Sequence, residues 1–315
     1  MGDLMPRDFS GEILVERRFP LHLEPSIGSI RDLYDTAKQS RWDPERDIPW
    51  GKFDRSRHAP ETLAAARLSW SRKAWTEYGG LPETPALIIR FCLERERESD
   101  PKYFLTVRNT EEAWHLDCCH RFAELCGGYI AEPASPAYRT LFNQGLHREA
   151  LDASRHLDAY IAAHIGVQDG LDLELCRLHR DNATDPVARA ILDRLVADKT
   201  RHAAFGWFYL ERRAELWTDE DRAEIAAEIA HVIDDVELAG LRCVWLGDAS
   251  DIVEADRLTT EAGLGAATRD KEEPVLHRYL AEAEAQFAKL GIGPRASRPQ
   301  SGADAGGTPA VQVRP

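Results

Sequence analysis

Residues 108–126 read RNTEEAWHLDCCHRFAELC, and within them Glu112 and His115 stand three positions apart. On a helix that spacing puts both side chains on one face, a single turn apart. Their stripe continues through Leu116, Cys119, Phe122, Ala123 and Cys126, so two ionisable groups lie on an apolar, core-facing surface. A buried carboxylate is costly unless something pairs with it, and a divalent metal is one such partner. Taken alone, the pair equally describes a buried Glu–His hydrogen bond. A second stretch, ILDRLVADKTRHAAFGWFYL at 191–210, repeats the register. There His202 takes the place of His115, and Lys199 falls where a second glutamate would stand.

Each pair has an acidic residue upstream: Glu77 precedes Glu112 by 35 positions, and Asp169 precedes His202 by 33. Residues facing each other at mid-height in an antiparallel helix pair are separated by two half-helices and a loop. Half-helices of about 14 residues and a loop of about 5 give roughly 33. The chain therefore reads as two helical hairpins, each offering a carboxylate from one helix and an x-x-His pair from the other. That is the layout of a carboxylate di-metal site inside a four-helix bundle.

The elements that must carry these residues follow from apolar periodicity, which predicts helices near 59–80, 84–98, 102–127, 146–182, 185–217, 219–247 and 272–290. Gly79, Gly80, Pro82 and Pro85 are expected to interrupt or kink the first segment, and Gly127 with Gly128 to end the third. Asp185 is placed to cap a helix whose first residue is Pro186. No alternating β-branched run suggests a sheet, so the fold class is all-α. Residues 1–58 form an N-terminal arm with an extended piece at Glu12–Phe19, a short helix at Ser26–Ser40, and Trp42 and Trp50 plugging onto the core. Residues 59–291 form the helical domain, and the Gly-, Pro- and Ser-rich residues 292–315 a disordered tail.

Lys and Arg total 40 against 54 Asp and Glu, a net charge of −14 that argues against binding a phosphate backbone. No uninterrupted apolar window is long enough for a membrane span, and residues 1–16 show no secretory signal. The six cysteines contain no C-x-x-C pair and suit reduced thiols, so a cytoplasmic protein is expected. The acidic stretch 219–237 reads as a solvated face, and its apolar residues Ile225, Ile229, Val232 and Ile233 as a surface for a homodimer.

Residues 59–217 resemble the ferritin-like superfamily of di-iron and di-manganese carboxylate proteins, most closely its oxidases and oxygenases of the p-aminobenzoate N-oxygenase type. The segment DGLDLELCRLHRDNATDPVARAILDRLVADKTRHAAFGW looks like the second hairpin of many members, and WDPERDIPW looks like the N-terminal arm of such oxygenases. The resemblance implies Glu77, Glu112, His115, Asp169 and His202 as metal ligands, with Glu112 bridging. It implies one or two iron ions per chain, manganese being the other candidate, and O2 and a small organic molecule, an amine or amino-acid-like compound, as substrates. Iron storage is disfavoured by the arm and the extra C-terminal helices.

Two positions depart from the family pattern. Asp169 is one methylene shorter than the usual glutamate. Lys199 replaces a carboxylate by a cation, which stands in for a metal charge and repels a second ion. Three readings follow: Lys199 replaces one metal and tunes charge or orients a substrate carboxylate; Asp198 takes over as ligand; or the site is a polar structural core. The alternative function is a ferritin-like scaffold without redox chemistry that binds a small ligand or a protein partner.

Overall fold

The computed structural model describes residues 27–94 and 98–293. The expected arm at Glu12–Phe19 and the chain from residue 294 onward lie outside the described residues. Helix α1 runs Gly28–Gln39, and after two short turns α2 spans Pro60–Leu93 and α3 Ser99–Cys126. Helices α4 (Pro136–Phe142) and α5 (Leu146–Leu151) lead into α6, residues 157–182. Then come α7 (Pro186–Arg213), α8 (residues 219–237), α9 (Ser250–Glu261) and α10 (Arg269–Lys289). No strand occurs among the described residues.

Helices α2 and α3 pack as one pair and α6 and α7 as another, with α3 against α7 closing a four-helix bundle. Helix α9 lies on α2, fastened by the buried Arg72–Asp256 ion pair and by Ser69 Oγ donating to Asp256. Helix α10 lies on α6, where Tyr279 donates to the carbonyl of Gly166. The bundle interior has two apolar layers. Leu87, Phe91, Phe104, Ile161, Phe205 and Tyr209 fill one, and Trp70, Phe122, Ile191, Leu192 and Leu195 the other. Between them runs a polar waist to which all four bundle helices contribute.

The structure departs from the expected boundaries where local chemistry compensates for a helix breaker. Helix α2 is continuous through Gly79, Gly80, Pro82 and Pro85. Proline removes the N–H that would bond the carbonyl four residues back. For Pro85 that carbonyl belongs to Leu81, and it accepts from Asn109 Nδ2 of α3 at 3.4 Å. The expected helix 146–182 is instead split, because Asp152 Oδ1 accepts from both the backbone and the hydroxyl of Ser154 and turns the chain. Within α6 the stretch Ile161–Asp169 is a π-helix, a wide turn concentrated at functional sites. Helices α4 and α9 were not expected, and the helix begun at 219 stops at 237 rather than 247. Gly127 and Gly128, with φ of 130° and 119°, end α3 as predicted, and Asp185 caps α7 by accepting from Val187 and Ala188 N–H.

The apolar side chains of α8 are not a surface for a second copy. Ile225, Ile229, Val232 and Ile233 are all buried inside this chain, so the argument for a homodimer through them falls. They serve the core of the monomer because α8 packs back onto α6. Among the described residues, no helix is long and apolar enough to cross a membrane.

Candidate metal centre

Helix α2 carries Glu77 into the waist, α3 carries Arg108, Glu111, Glu112 and His115, α6 carries Asp169 and Asp172, and α7 carries Asp198, Lys199, Arg201 and His202. The imidazoles of His115 and His202 face each other with ring centroids 5.9 Å apart. His115 Nδ1 lies 3.2 Å from Glu77 Oε2, and its Nε2 lies 3.0 Å from Asp198 Oδ2. Trp42 Nε1 donates to the same Asp198 oxygen at 2.8 Å, so the N-terminal segment reaches the back of the site. His202 Nε2 lies 2.9 Å from Glu111 Oε2, and Arg201 pairs with both Glu111 and Asp198. Each imidazole is thus anchored through Nε2 to a buried carboxylate behind it. This is the way a protein fixes the tautomer and aim of a ligating histidine.

Cations already stand among the carboxylates. Lys199 Nζ lies 2.8 Å from Glu77 Oε1 and 2.5 Å from Asp172 Oδ2. Arg108 donates through Nε to Glu112 Oε1 at 2.8 Å and sets Nη2 3.0 Å from Asp169 Oδ2. Thr84 Oγ1 also donates to Glu112 Oε1, at 3.1 Å. Three buried atoms in this group, Arg108 Nη1, Glu112 Oε2 and Asp169 Oδ2, have no hydrogen-bond partner. A cavity of about 80 Å³ opens onto Glu77, Arg108, Glu112, Asp169, Lys199 and His202. Helix α2 can close on it because residue 80 is glycine. A Cβ there would sit 2.6 Å from Glu112 Cδ.

Proton affinities follow from this arrangement. Burial opposes charging His115, but hydrogen bonds to Asp198 and Glu77 outweigh it and push its pKa up to about 9. Burial, helped by the charges of Arg108 and His115, holds His202 well below its ordinary value, so it is neutral. With Nε2–H donated to Glu111, its Nδ1 carries the lone pair. Burial works against ionising Glu77, but Lys199 and His115 prevail and hold it well below the usual carboxylate range. Burial pushes Asp169 up to about 7 against the pull of Arg108.

The predicted residues therefore gather at one place: Glu77, Glu112, Asp169, Lys199 and His202 line one cavity, and His115 touches Glu77 from outside it. They do not converge on one point. Among the described residues, no three ligand atoms of this set lie within 4.8 Å of one another. Asp198 is not turned inward in place of Lys199; it lies behind His115. Sequence reasoning missed Arg108. Its signal was present, since Arg108 stands one helical turn before Glu112 on the same stripe.

No family model matches the sequence, and no curated protein matches it. Solved structures do. An R2-like ligand-binding oxidase with an aerobically reconstituted Mn/Fe cofactor is 16% identical, with a TM-score of 0.61 over 82% of this chain and 92% of that chain. Another R2-like ligand-binding oxidase, with its reconstituted metal cofactor after photoconversion, is 15% identical, with a TM-score of 0.56 over 83% of this chain and 90% of that one. The fold is ferritin-like. At these identities the likeness speaks for architecture, and the chemistry of this ferritin-like chain has to be argued from its own residues.

A ferritin-like di-metal centre does not fit them. The carboxylates of Glu77, Glu112, Asp169, Asp172 and Glu237 face the ammonium of Lys199 and the guanidiniums of Arg108 and Arg242, which leaves two negative charges. One divalent ion balances these once His115 gives up its proton. A second would leave the buried waist at a net charge of about +2, unfavourable in a low dielectric. The donor set fits one ion. His115 Nδ1 and Glu77 Oε2 are 3.2 Å apart, the span of two neighbouring ligands each about 2.1 Å from a shared ion. Glu112 Oε2, also unpartnered, lines the same cavity as Glu77 and would have to move toward them to join as a third donor.

Proposed function

We propose that this chain is a non-haem, metal-dependent oxidase or oxygenase that uses O2 on a small organic substrate and holds one divalent ion, iron or manganese, rather than two. The observation that carries this reading is the pair of inward-facing imidazoles, each backed through Nε2 by a buried carboxylate. Glu77, Glu112 and His115 hold the ion in this reading, and Asp169 and His202 stand on the opposite wall. Mixed imidazole and carboxylate ligation with open positions is the environment in which ferrous iron reduces O2.

The remaining residues prepare the site. Lys199 supplies a fixed positive charge where a ferritin-like protein would place a second carboxylate and its metal. Arg108 draws Glu112 and Asp169 together and keeps one donor, Nη1, free for an anionic group of the substrate. A cavity of about 80 Å³ admits O2 and a small substituent, which favours compact substrates such as amino-acid-like compounds. The two apolar layers keep bulk water from above and below.

Metal analysis after anaerobic loading with ferrous iron tests this. About one ion per chain is expected to depend on His115, read as the difference from His115→Gln, rising toward two in Lys199→Glu, where the charge count changes by two units. A second reading is supported by the same ion pairs. Since Lys199 and Arg108 already satisfy the carboxylates, the waist would serve as the core of a scaffold without redox chemistry. That reading requires that no metal be lost on His115→Gln in either background.

A further inference from the structure

A second cluster adjoins the waist cavity, whose lining includes His164. His164, on the π-helical stretch of α6, points Nε2 at Glu149 Oε2 of α5 and at Glu228 Oε1 of α8, each 3.8 Å away. The three ligand atoms lie within 4.8 Å of one another. His164 is 3% exposed in its side chain, and its Nε2 has no hydrogen-bond partner.

The other ring nitrogen settles which proton the imidazole carries. His164 Nδ1 lies 2.8 Å from Gln168 Oε1, while Gln168 Nε2 donates to Glu237 Oε1 at 2.7 Å. The carboxylate of Glu237 fixes the amide with its NH2 outward and its oxygen toward His164, so Nδ1 is the protonated nitrogen. Nε2 is then the nitrogen aimed, without a hydrogen-bond partner, at the two carboxylate oxygens. One imidazole nitrogen and two carboxylate oxygens brought together in this way suit a shared cation. Ligand atoms about 2.1 Å from a common ion, at angles between tetrahedral and about 130°, are about 3.4–3.8 Å apart. Arg155 reaches the two glutamates from the solvent side, with Nη1 2.6 Å from Glu149 Oε2 and Nη2 3.3 Å from Glu228 Oε2, and does not contact the imidazole.

We propose that His164, Glu149 and Glu228 form a divalent transition-metal site, distinct from the waist, that fastens α5 and α8 to the π-helical stretch of α6. One imidazole with two carboxylates selects a zinc-like ion over magnesium or calcium, which favour all-oxygen shells. Neither α5 nor α8 belongs to the four-helix bundle. Helix α5 carries Leu146, which lines the cavity, so an ion here holds one wall of the waist cavity in place. The site does not depend on the proposed oxidase function.

The test uses the full chain, stripped with chelator and titrated with Zn2+ by equilibrium dialysis, with thermal unfolding followed in parallel. Glu149→Gln and Glu228→Gln, both at partly exposed side chains, are expected to bind one ion fewer per chain than the parent. In a His115→Gln background, where the waist holds no ion, they should also lose the Zn2+-induced rise in Tm, whatever their baseline Tm. In the same background one Zn2+ should remain and be removed by Glu228→Gln. Arg155→Gln, which removes the competing cation, should tighten Zn2+ binding severalfold. Equal Zn2+ stoichiometry in the parent and both glutamate variants would overturn the proposal, as would a Zn2+-induced Tm rise that survives both substitutions in the His115→Gln background.

Discussion

Three buried groups of the waist hold their protons more tightly in the folded chain than in the unfolded one: His115 at about 9 against 6.5, Asp169 at about 7 against 3.8, and Glu111 at about 7 against 4.5. For each, the stabilisation is complete below the ordinary pKa and is lost as pH rises through the folded value. Glu77 and Asp198, held below the ordinary range, stay ionised throughout this window and contribute no slope. The metal-free protein should therefore lose roughly 5 kcal/mol between pH 6 and pH 9, about half of it through His115. Urea unfolding across that range in the presence of chelator reads the loss, and His115→Gln should flatten its upper half. Added ferrous or manganous ion should reverse the slope, because the ion takes the place of the His115 proton. A pH-independent stability in chelator would show that the waist carries no such protons. At this scale the charge logic was legible from Lys199 alone, since a cation on an acidic stripe declares itself by type. Its true partner was less so. Asp172 lies on α6, one turn from Asp169, and only the path of the π-helix decides which of the two acids the ammonium meets.

Elements position these groups through a few close approaches. Gly80 lets α2 pass against the carboxyl of Glu112, where a Cβ would intrude at 2.6 Å. Alanine in place of glycine ordinarily favours a helix interior by roughly 0.5–1 kcal/mol. Here Gly80→Ala is expected to reverse that sign, destabilising the chain by about 1–3 kcal/mol as Glu112 is pushed off Arg108 and Thr84. Thermal unfolding measures the first effect and iron stoichiometry the second, with Gly79→Ala as a control because nothing lies within 4 Å of a Cβ there. The long bundle helices were readable because their apolar stripes persist for many turns. The continuity of α2 was not, because it rests on Asn109 bonding the carbonyl that Pro85 leaves free, a contact made only once α3 is in place. The π-helix within α6 was equally hidden. Its residues Ile161–Asp169 are almost all buried, and so they show no polar face from which a period could be read.

Across the whole molecule, the waist is a costly layer of buried charge held between two apolar layers, and the outer helices complete both its cover and its pairing. Trp70, fully buried in the lower layer, donates Nε1–H to the carbonyl of Leu264, beyond α9. Arg72 pairs with Asp256 of α9, and His179 lies 3.2 Å from Glu272 of α10. From the other end of the described chain, Trp42 seals Asp198 behind His115. A bundle cut free of these segments would leave Arg72 without its carboxylate partner, strip Asp198 of the Trp42 indole donor and open the indole of Trp70 to water. Removing one partner of a buried charge pair typically costs about 3–5 kcal/mol, a large share of the stability of an ordinary domain. The helical region is therefore expected to unfold as one unit, with near-UV signals from the tryptophans and far-UV helicity lost at the same urea concentration. A chain ending at residue 249 should fail to give a cooperative transition. If that shortened chain unfolds cooperatively and near the parent midpoint, α9 and α10 are appendages, and the waist draws its stability from the four bundle helices alone.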